Sequence, residues 1–302
     1  MKRESGNSWM NFRVTGRYEE QREERIMRIV RTVLIAVTIC SFVLFGVSEL
    51  VQLLRTDRTM PEITSSTDIL EIPCEYTAEQ LVEGLHAEDE KDGDLTSQII
   101  PGAFSRFIEK GVCNVTYVVF DSSDNPASLT RKVRFTDYHS PRFTLTEPLV
   151  FDEGEGSYSL AMERLGASDL LDGDLDEWVT QTDTNVNYQQ PGTYTMDVEV
   201  SNSFGDTATA ALPVHVVSGE GQSVSIALTA AIVYVKVGET LDPASYLSSV
   251  TDAAGSQMDL SQVTVASGVD TQTPGCYEVS YEMRDSGGNI AGQTWLTVIV
   301  EE

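Results

Sequence analysis

One pattern recurs three times between residue 111 and the end of the chain. Gly111 is followed by VCNVTYVVFDSSDNPAS, Pro191-Gly192 by TYTMDVEVSNSFGDTAT, and Pro274-Gly275 by CYEVSYEMRDSGGNIAG. Gly111, Gly192 and Gly275 correspond, as do Asp121, Asn202 and Asp285, then Asn125, Asp206 and Asn289, then Ala127, Ala208 and Ala291. Residues 115–120, 194–200 and 277–283 alternate apolar with polar, the period of a half-buried strand. Each copy therefore reads as a strand, a tight turn and a return strand, a β-hairpin. A pattern repeated at about 80 residues restricts the chain to a row of similar small units, each the size of a β-sandwich.

A second shared feature lies upstream of the first two hairpins. It is Ala87-Glu88-Asp89-Glu90-Lys91-Asp92-Gly93-Asp94-Leu95-Thr96 in the first copy and Ala167-Ser168-Asp169-Leu170-Leu171-Asp172-Gly173-Asp174-Leu175 in the second. In the third copy it has decayed to Val250-Thr251-Asp252-Ala253-Ala254-Gly255. The expected units are 60–138, 139–218 and 219–302. Their joints, Tyr138-His139-Ser140-Pro141 and Ser218-Gly219-Glu220-Gly221, are short, which favours an extended rod. The expected fold class is mainly β: three tandem sandwiches behind one membrane helix.

That helix is predicted at 32–54. Residues 32–48 carry no charge and span roughly 26 Å as a helix, close to a bilayer's hydrocarbon core. Ahead of it stand Lys2, Arg3, Arg13, Arg17, Arg22, Arg25, Arg28 and Arg31, and just after it only Arg55 and Arg58. The basic flank stays in the cytoplasm, so the N-terminus is expected inside and the long C-terminal part outside. A cleaved secretory signal is the competing reading. The long segment ahead of the apolar run and the poor cleavage sequence Val47-Ser48-Glu49 speak for a retained signal anchor. Residues 1–31 form a basic tail. Gly6, Asn7 and Ser8 read as disordered, and the run from Arg17 is helical, with Glu24 and Arg28 paired at i,i+4.

The chain's formal net charge is −27. From Arg55 onward only 12 of its 20 Lys and Arg remain, since eight precede the membrane, against 41 of its 47 Asp and Glu. Such a surface repels nucleic acid and anionic headgroups, so a nucleic-acid partner is excluded.

The pattern A-x-D-x-x-D-G-D-L-T followed by P-G-x-Y-x-V-x-Y-x-x-x-D-x-x-G-N-x-A resembles a bacterial Ig-like domain family, first described in pesticidal crystal proteins and close to hyalin-repeat and cadherin-like modules. The resemblance runs from about residue 60 to the end. It departs at Lys110-Gly111, at the Asn202-Ser203-Phe204-Gly205-Asp206 turn, and in the third copy's missing Asp-Gly-Asp. It implies Ig-like sandwiches on a secreted or surface-anchored bacterial protein and no single activity.

The acidic turn admits two readings. Asp89, Asp92 and Asp94, with Asp121 or Asp124 nearby, supply carboxylates of the kind calcium takes. The EF-hand template fails, because its closing Glu falls on Ile99, and on Val179 in the second copy. The other reading is a tight turn with Gly93 or Gly173 left-handed and Asp side chains capping nearby N–H groups, which explains the residues without a metal. Cys74 and Cys113 also admit two readings. An intersheet disulfide would add about 2–4 kcal/mol; two buried free thiols need no such bond. The second unit has no cysteine and the third only Cys276, so the fold forms without a bridge. Cys40 lies in the membrane span.

No catalytic arrangement stands out. His86 sits beside the acidic turn, His139 in a joint and His215 on a strand, with no Ser-His-Asp order, zinc spacing or phosphate loop. Trp178 and Trp295 suit either a sugar-stacking platform or a core, and Trp295 is expected in the core. Asn114-Val115-Thr116 matches a glycosylation sequon incidentally. The expectation is a non-enzymatic, membrane-anchored bacterial surface protein, without a cofactor, serving adhesion, binding or spacing at the envelope. Its partner would be an envelope polysaccharide or protein. The alternative is a membrane-anchored regulator or assembly partner of another envelope protein.

Overall fold

The computed structural model describes residues 8–55, 59–219 and 222–302, with side chains from residue 22 onward and not for 52–55. It forms two units. The first holds the N-terminal helix, the residues up to Glu62, and the segments Ala87–Ser97 and Val119–Ala127; the second holds Ile63–His86, Gln98–Val118 and Ser128–Glu302.

The helix runs unbroken from Ser8–Arg55 over 48 residues. It crosses the expected border at Thr32 without interruption, because the Glu- and Arg-rich tail is itself a good helix former. Ser8, read from sequence as disordered, opens it; Gly6 and Asn7 lie outside the described residues. Arg28 meets Glu24 at 3.2 Å, the expected i,i+4 pair. Within Arg22–Val51, which is exposed throughout, an 18-residue window reaches a mean hydropathy of 2.3, so this helix is long and apolar enough to cross a membrane. Its hydroxyls are internally satisfied. Thr32 donates to the Arg28 carbonyl and Thr38 to that of Leu34, both at 2.8 Å, and Ser41 to that of Val37 at 2.9 Å. In hydrocarbon no water would do this for them.

The rest is mainly β. Three four-stranded sheets share one strand order. The first sheet runs Ile69–Ile72, Pro126–Phe135, Val112–Phe120, Ile100–Phe104. The second runs Val150–Asp152, Thr207–Val217, Gly192–Ser201, Thr180–Thr184. The third runs Ile232–Lys236, Ile290–Glu301, Gly275–Arg284, Thr264–Ser267. In each, the repeated hairpin forms the centre. An early strand pairs parallel to the return strand, as Leu70 opposite Val133, Phe151 opposite Val216 and Val233 opposite Val298.

Smaller sheets complete the layers. Arg142–Leu145, Leu165–Asp169 and Gly173–Asp174 form one, and Val224–Leu228 with Leu247–Asp252 form another. The latter lacks the third short strand, which in the former is the Asp-Gly-Asp turn; the sequence had decayed at the same place. Phe143, Leu165 and Ala167 of the small sheet share a core with Met196, Val198, Val200, Leu212 and Val214 of the second large sheet. Val235, Val279, Tyr281, Leu296, Val298 and Val300 form the third core. The alternation read from sequence therefore faces a sandwich interior.

Short helical turns, absent from the sequence reading, complete each copy. Thr77 and Gln80 cap Ala78–Leu81 reciprocally, a capping box; Ser157 caps Tyr158–Arg164, and Asp242 caps Pro243–Tyr246. At these lengths helical periodicity leaves no signal, and only the caps betray them. Buried tyrosines hold two of them down: Tyr117 donates to the Leu81 carbonyl at 2.8 Å and Tyr281 to that of Pro243 at 2.7 Å.

Candidate functional site

The acidic turns are built as local caps. In the first unit, Asp89 Oδ1 accepts the N–H groups of Lys91 at 2.8 Å and Asp92 at 3.0 Å, and Asp94 accepts that of Thr96 at 2.9 Å. Asp92 reaches the hairpin turn, where it accepts both the N–H of Ser122 at 2.7 Å and its hydroxyl at 2.9 Å. Asp121 accepts the N–H groups of Ser123 at 2.8 Å and Asn125 at 2.7 Å. The four candidate carboxylates thus bind backbone N–H groups, as the turn reading expects. Among the described residues, no group of three or more His, Cys, Asp and Glu is placed to hold a metal ion.

The second copy repeats the device atom for atom. Asp169 accepts from Leu171 and Asp172, Asp174 from Asp176, and Asp172 takes both the N–H and the hydroxyl of Ser203. The Asp-Gly-Asp turn is therefore a clasp that ties one layer to the hairpin of the other. The third copy keeps Ser286 and caps its own hairpin through Asp285, yet has no aspartate at the clasp position.

The clasps also grip the chain that leads into the first two copies. Thr59 donates to Asp89 at 3.4 Å, and Asn125 donates to the Thr59 carbonyl at 3.2 Å. In the second copy Tyr138 takes this place. Its hydroxyl donates to Asp206 at 2.8 Å and accepts from Asn202 at 2.9 Å, and Asn202 also donates to Asp169 at 3.2 Å. The Asn-for-Asp and Asp-for-Asn departures of this turn are a swap. Asn202 still accepts the Asp206 N–H at 2.9 Å, as Asp121 does for Asn125, while the carboxylate moves to where Tyr138 needs an acceptor. Burial, and then the Asp206 carboxylate, hold the Tyr138 phenol far above its ordinary range, so it remains a donor.

Around this clasp the first and second sheets join through aromatic rings. Phe107 stacks on Phe204 with centroids 4.8 Å apart, Tyr138 meets Phe107 edge-on at 4.8 Å, and Phe104 and Phe135 close the cluster. The Phe107 N–H donates to the Phe204 carbonyl at 3.0 Å. The second and third sheets join differently. His215 is buried, stacks on Trp295 at 3.8 Å with the rings 6° from parallel, and meets Glu278 at 2.5 Å. Arg142 pairs with Glu301 and lies 4.9 Å over the Tyr234 ring, whose hydroxyl accepts the Phe143 N–H at 2.6 Å. Trp295 is thus not in its own core, as the sequence predicted, but faces outward onto the neighbouring sheet. Trp178 is 68% exposed. Of the second joint, Glu220 and Gly221 lie outside the described residues.

The cysteines are free thiols. Cys74 and Cys113 are both buried and make no disulfide, the second of the two expectations. Burial first, and then the Asp137 carboxylate, push Cys74 up to about 12; burial pushes Cys113 up to about 11. Cys113 stands two residues after its glycine, where the other copies have Tyr194 and Tyr277. Those tyrosines reach back to the carbonyls of Gln190 at 2.9 Å and Thr273 at 3.0 Å, a corner tether that the first copy lacks.

The chain is similar in part to known proteins. The family described as "Bacterial surface protein, Ig-like domain" matches residues 228–300. The pesticidal crystal protein Cry22Aa of Bacillus thuringiensis is 31% identical over 224 residues, which is 72% of this chain and 30% of that protein. The chain thus spans under a third of this relative. Two solved structures align loosely. The M60 catalytic domain with CBM51 domains of Clostridium perfringens ZmpB has 13% identity and a TM-score of 0.21, covering 81% of this chain and 31% of that one. The protocadherin GammaB4 extracellular domain has 10% identity and a TM-score of 0.19, covering 81% and 51%.

Proposed function

We propose that this chain is a non-enzymatic surface protein that binds or spaces at the cell envelope, a reading supported by the match of residues 228–300 to the Ig-like domain of bacterial surface proteins. In this reading residues 32–54 are a retained membrane anchor, with the basic tail 1–31 in the cytoplasm. Three Ig-like modules, near 60–138, 139–218 and 219–302, stand outside. The observation that carries it is the gripping of the connecting chain: Thr59 and Tyr138 are each held by a clasp, and sheets meet through ordered aromatic and ionic contacts. Fixed joints suit a protein that holds a surface at a set distance, whereas loose linkers do not.

The test is sedimentation of the full-length protein, in detergent, with isolated cell walls, alongside external protease treatment of intact cells. Saturable wall binding and cleavage of the β region from outside support a wall-binding surface protein. Cleavage without wall binding moves the reading to a spacer or to a partner of another envelope protein. Protection of the β region in intact cells, with cleavage only after lysis, overturns the topology.

A further inference from the structure

A cavity of about 540 Å³ opens beside the second and third sheets, and its walls do not match the charge of the protein around it. Lys110, Arg142 and Lys236 line it with His139, against Asp137, Glu301 and Glu302. Beyond the membrane helix the chain carries 12 Lys and Arg against 41 Asp and Glu. The cavity therefore gathers a quarter of the cations and a small share of the anions. Arg142 and Glu301 cancel as a pair, which leaves Lys110 and Lys236 against Asp137 and Glu302, a neutral patch on a strongly acidic surface. Asp137 accepts the Cys74 N–H at 2.7 Å, which holds its carboxyl below the usual range. Lys110 and Lys236, both exposed, line the opening together with the hydroxyl-bearing Ser140, Thr207, Thr209 and Tyr234.

From this juxtaposition we infer that the cavity is a binding site for an acidic saccharide, a hydroxyl-rich sugar unit bearing one carboxylate or phosphate. The volume lies within the range that small ligands fill. Lysine is a compact point charge suited to either anion, and the hydroxyls supply acceptors and donors for a polyol. The acidic surface elsewhere repels such a ligand and leaves this cavity as its favoured place. The inference rests on the surface-binding reading and deepens it by naming the site and the ligand class.

The experiment is calorimetric titration of the full-length protein with glucuronic acid, glucose 6-phosphate and glucose, using the parent chain and a Lys110→Gln/Lys236→Gln variant. Both substitutions are at exposed positions, and the variant's melting temperature checks its fold. The expected result is binding of one or both acidic sugars and none of glucose. The double variant should bind at least tenfold more weakly, and salt should weaken binding in the parent. A preference between the carboxylate and phosphate probes identifies which acid the site takes. Equal binding by the variant, equal binding of glucose, or no binding of any probe overturns the site. Cell-wall sedimentation of the same variant separates the two ideas: undiminished wall binding overturns this cavity and leaves the surface-binding reading standing, while no wall binding by the parent overturns wall binding itself.

Discussion

Tyr138 and Asp206 lie 68 residues apart and share a 2.8 Å hydrogen bond, phenol to carboxylate, at the junction of the first and second sheets. The same hydroxyl accepts from Asn202, so one atom fixes the connecting chain to a turn on the next sheet. Replacing Tyr138 by Phe keeps the ring against Phe107 and removes only the hydroxyl. The loss leaves Asp206 and Asn202 short of a partner and should destabilise by about 1–3 kcal/mol, read as a lower urea midpoint. An unchanged midpoint would show that water replaces the hydroxyl at no cost.

The clasp aspartates make a second prediction. Asp92→Ala and Asp172→Ala each remove an acceptor of two hydrogen bonds from a hairpin serine. Each should lower stability by about 1–3 kcal/mol, since these are charge-assisted bonds on a part-exposed turn. Calcium and chelator should leave the melting temperature of the parent chain unchanged, because the carboxylates already serve N–H groups. A calcium-dependent rise that Asp92→Ala abolishes would restore the metal reading.

His215 and Trp295 form the stacked contact between the second and third sheets, with Glu278 on the imidazole. His215→Ala removes the ring and strands a partly buried carboxylate. It should cost about 2–4 kcal/mol and shift Trp295 emission to longer wavelength as water reaches the indole. An emission spectrum identical to the parent's would mean the stack does not persist in solution.

Asp124 is the only non-glycine at positive φ, 63°, among the described residues, and it occupies the position of Gly205 and Gly288, both at 84°. Asp124→Gly should therefore be neutral or stabilising by up to about 1 kcal/mol, the reverse of the usual cost of glycine. Gly205→Val, which forces a β-branched residue into the left-handed region, should destabilise by about 1–3 kcal/mol. Thermal melts of both variants check the pair.

The buried thiols fix a pH dependence. Cys113 and Cys74 are raised from 9.0 to about 11 and about 12. The unfolded chain therefore releases these protons first, and stability that is intact below about pH 9 is lost as pH rises toward those values. Tyr138 and Tyr234, also raised by burial, act in the same direction. A Cys113→Val variant should lose less stability between pH 8 and 11 than the parent. Thiol reagents should label Cys74 and Cys113 only after unfolding.

Much of this protein follows from local pattern. An uncharged run must form a helix in lipid because its backbone has no other partner there. Period-2 alternation at Met196, Val198 and Val200 sets which side of a strand is buried. An aspartate two or three residues before a free N–H caps it wherever the chain folds. These effects act over a few residues, so the sequence alone determined the helix, the three hairpins and the turn chemistry of Asp89, Asp94 and Asp121. It could not determine which distant side chains meet. Asp92 with Ser122, Tyr138 with Asp206 and His215 with Trp295 are separated by 30 to 80 residues. Nothing in their local context distinguishes Trp295 on the outer face from a core tryptophan. The pairing of whole sheets decides that, because a side chain's burial depends on what the neighbouring surface presents. The cation-lined cavity belongs to the same class, for Lys110 and Lys236 come together only once the sheets are packed.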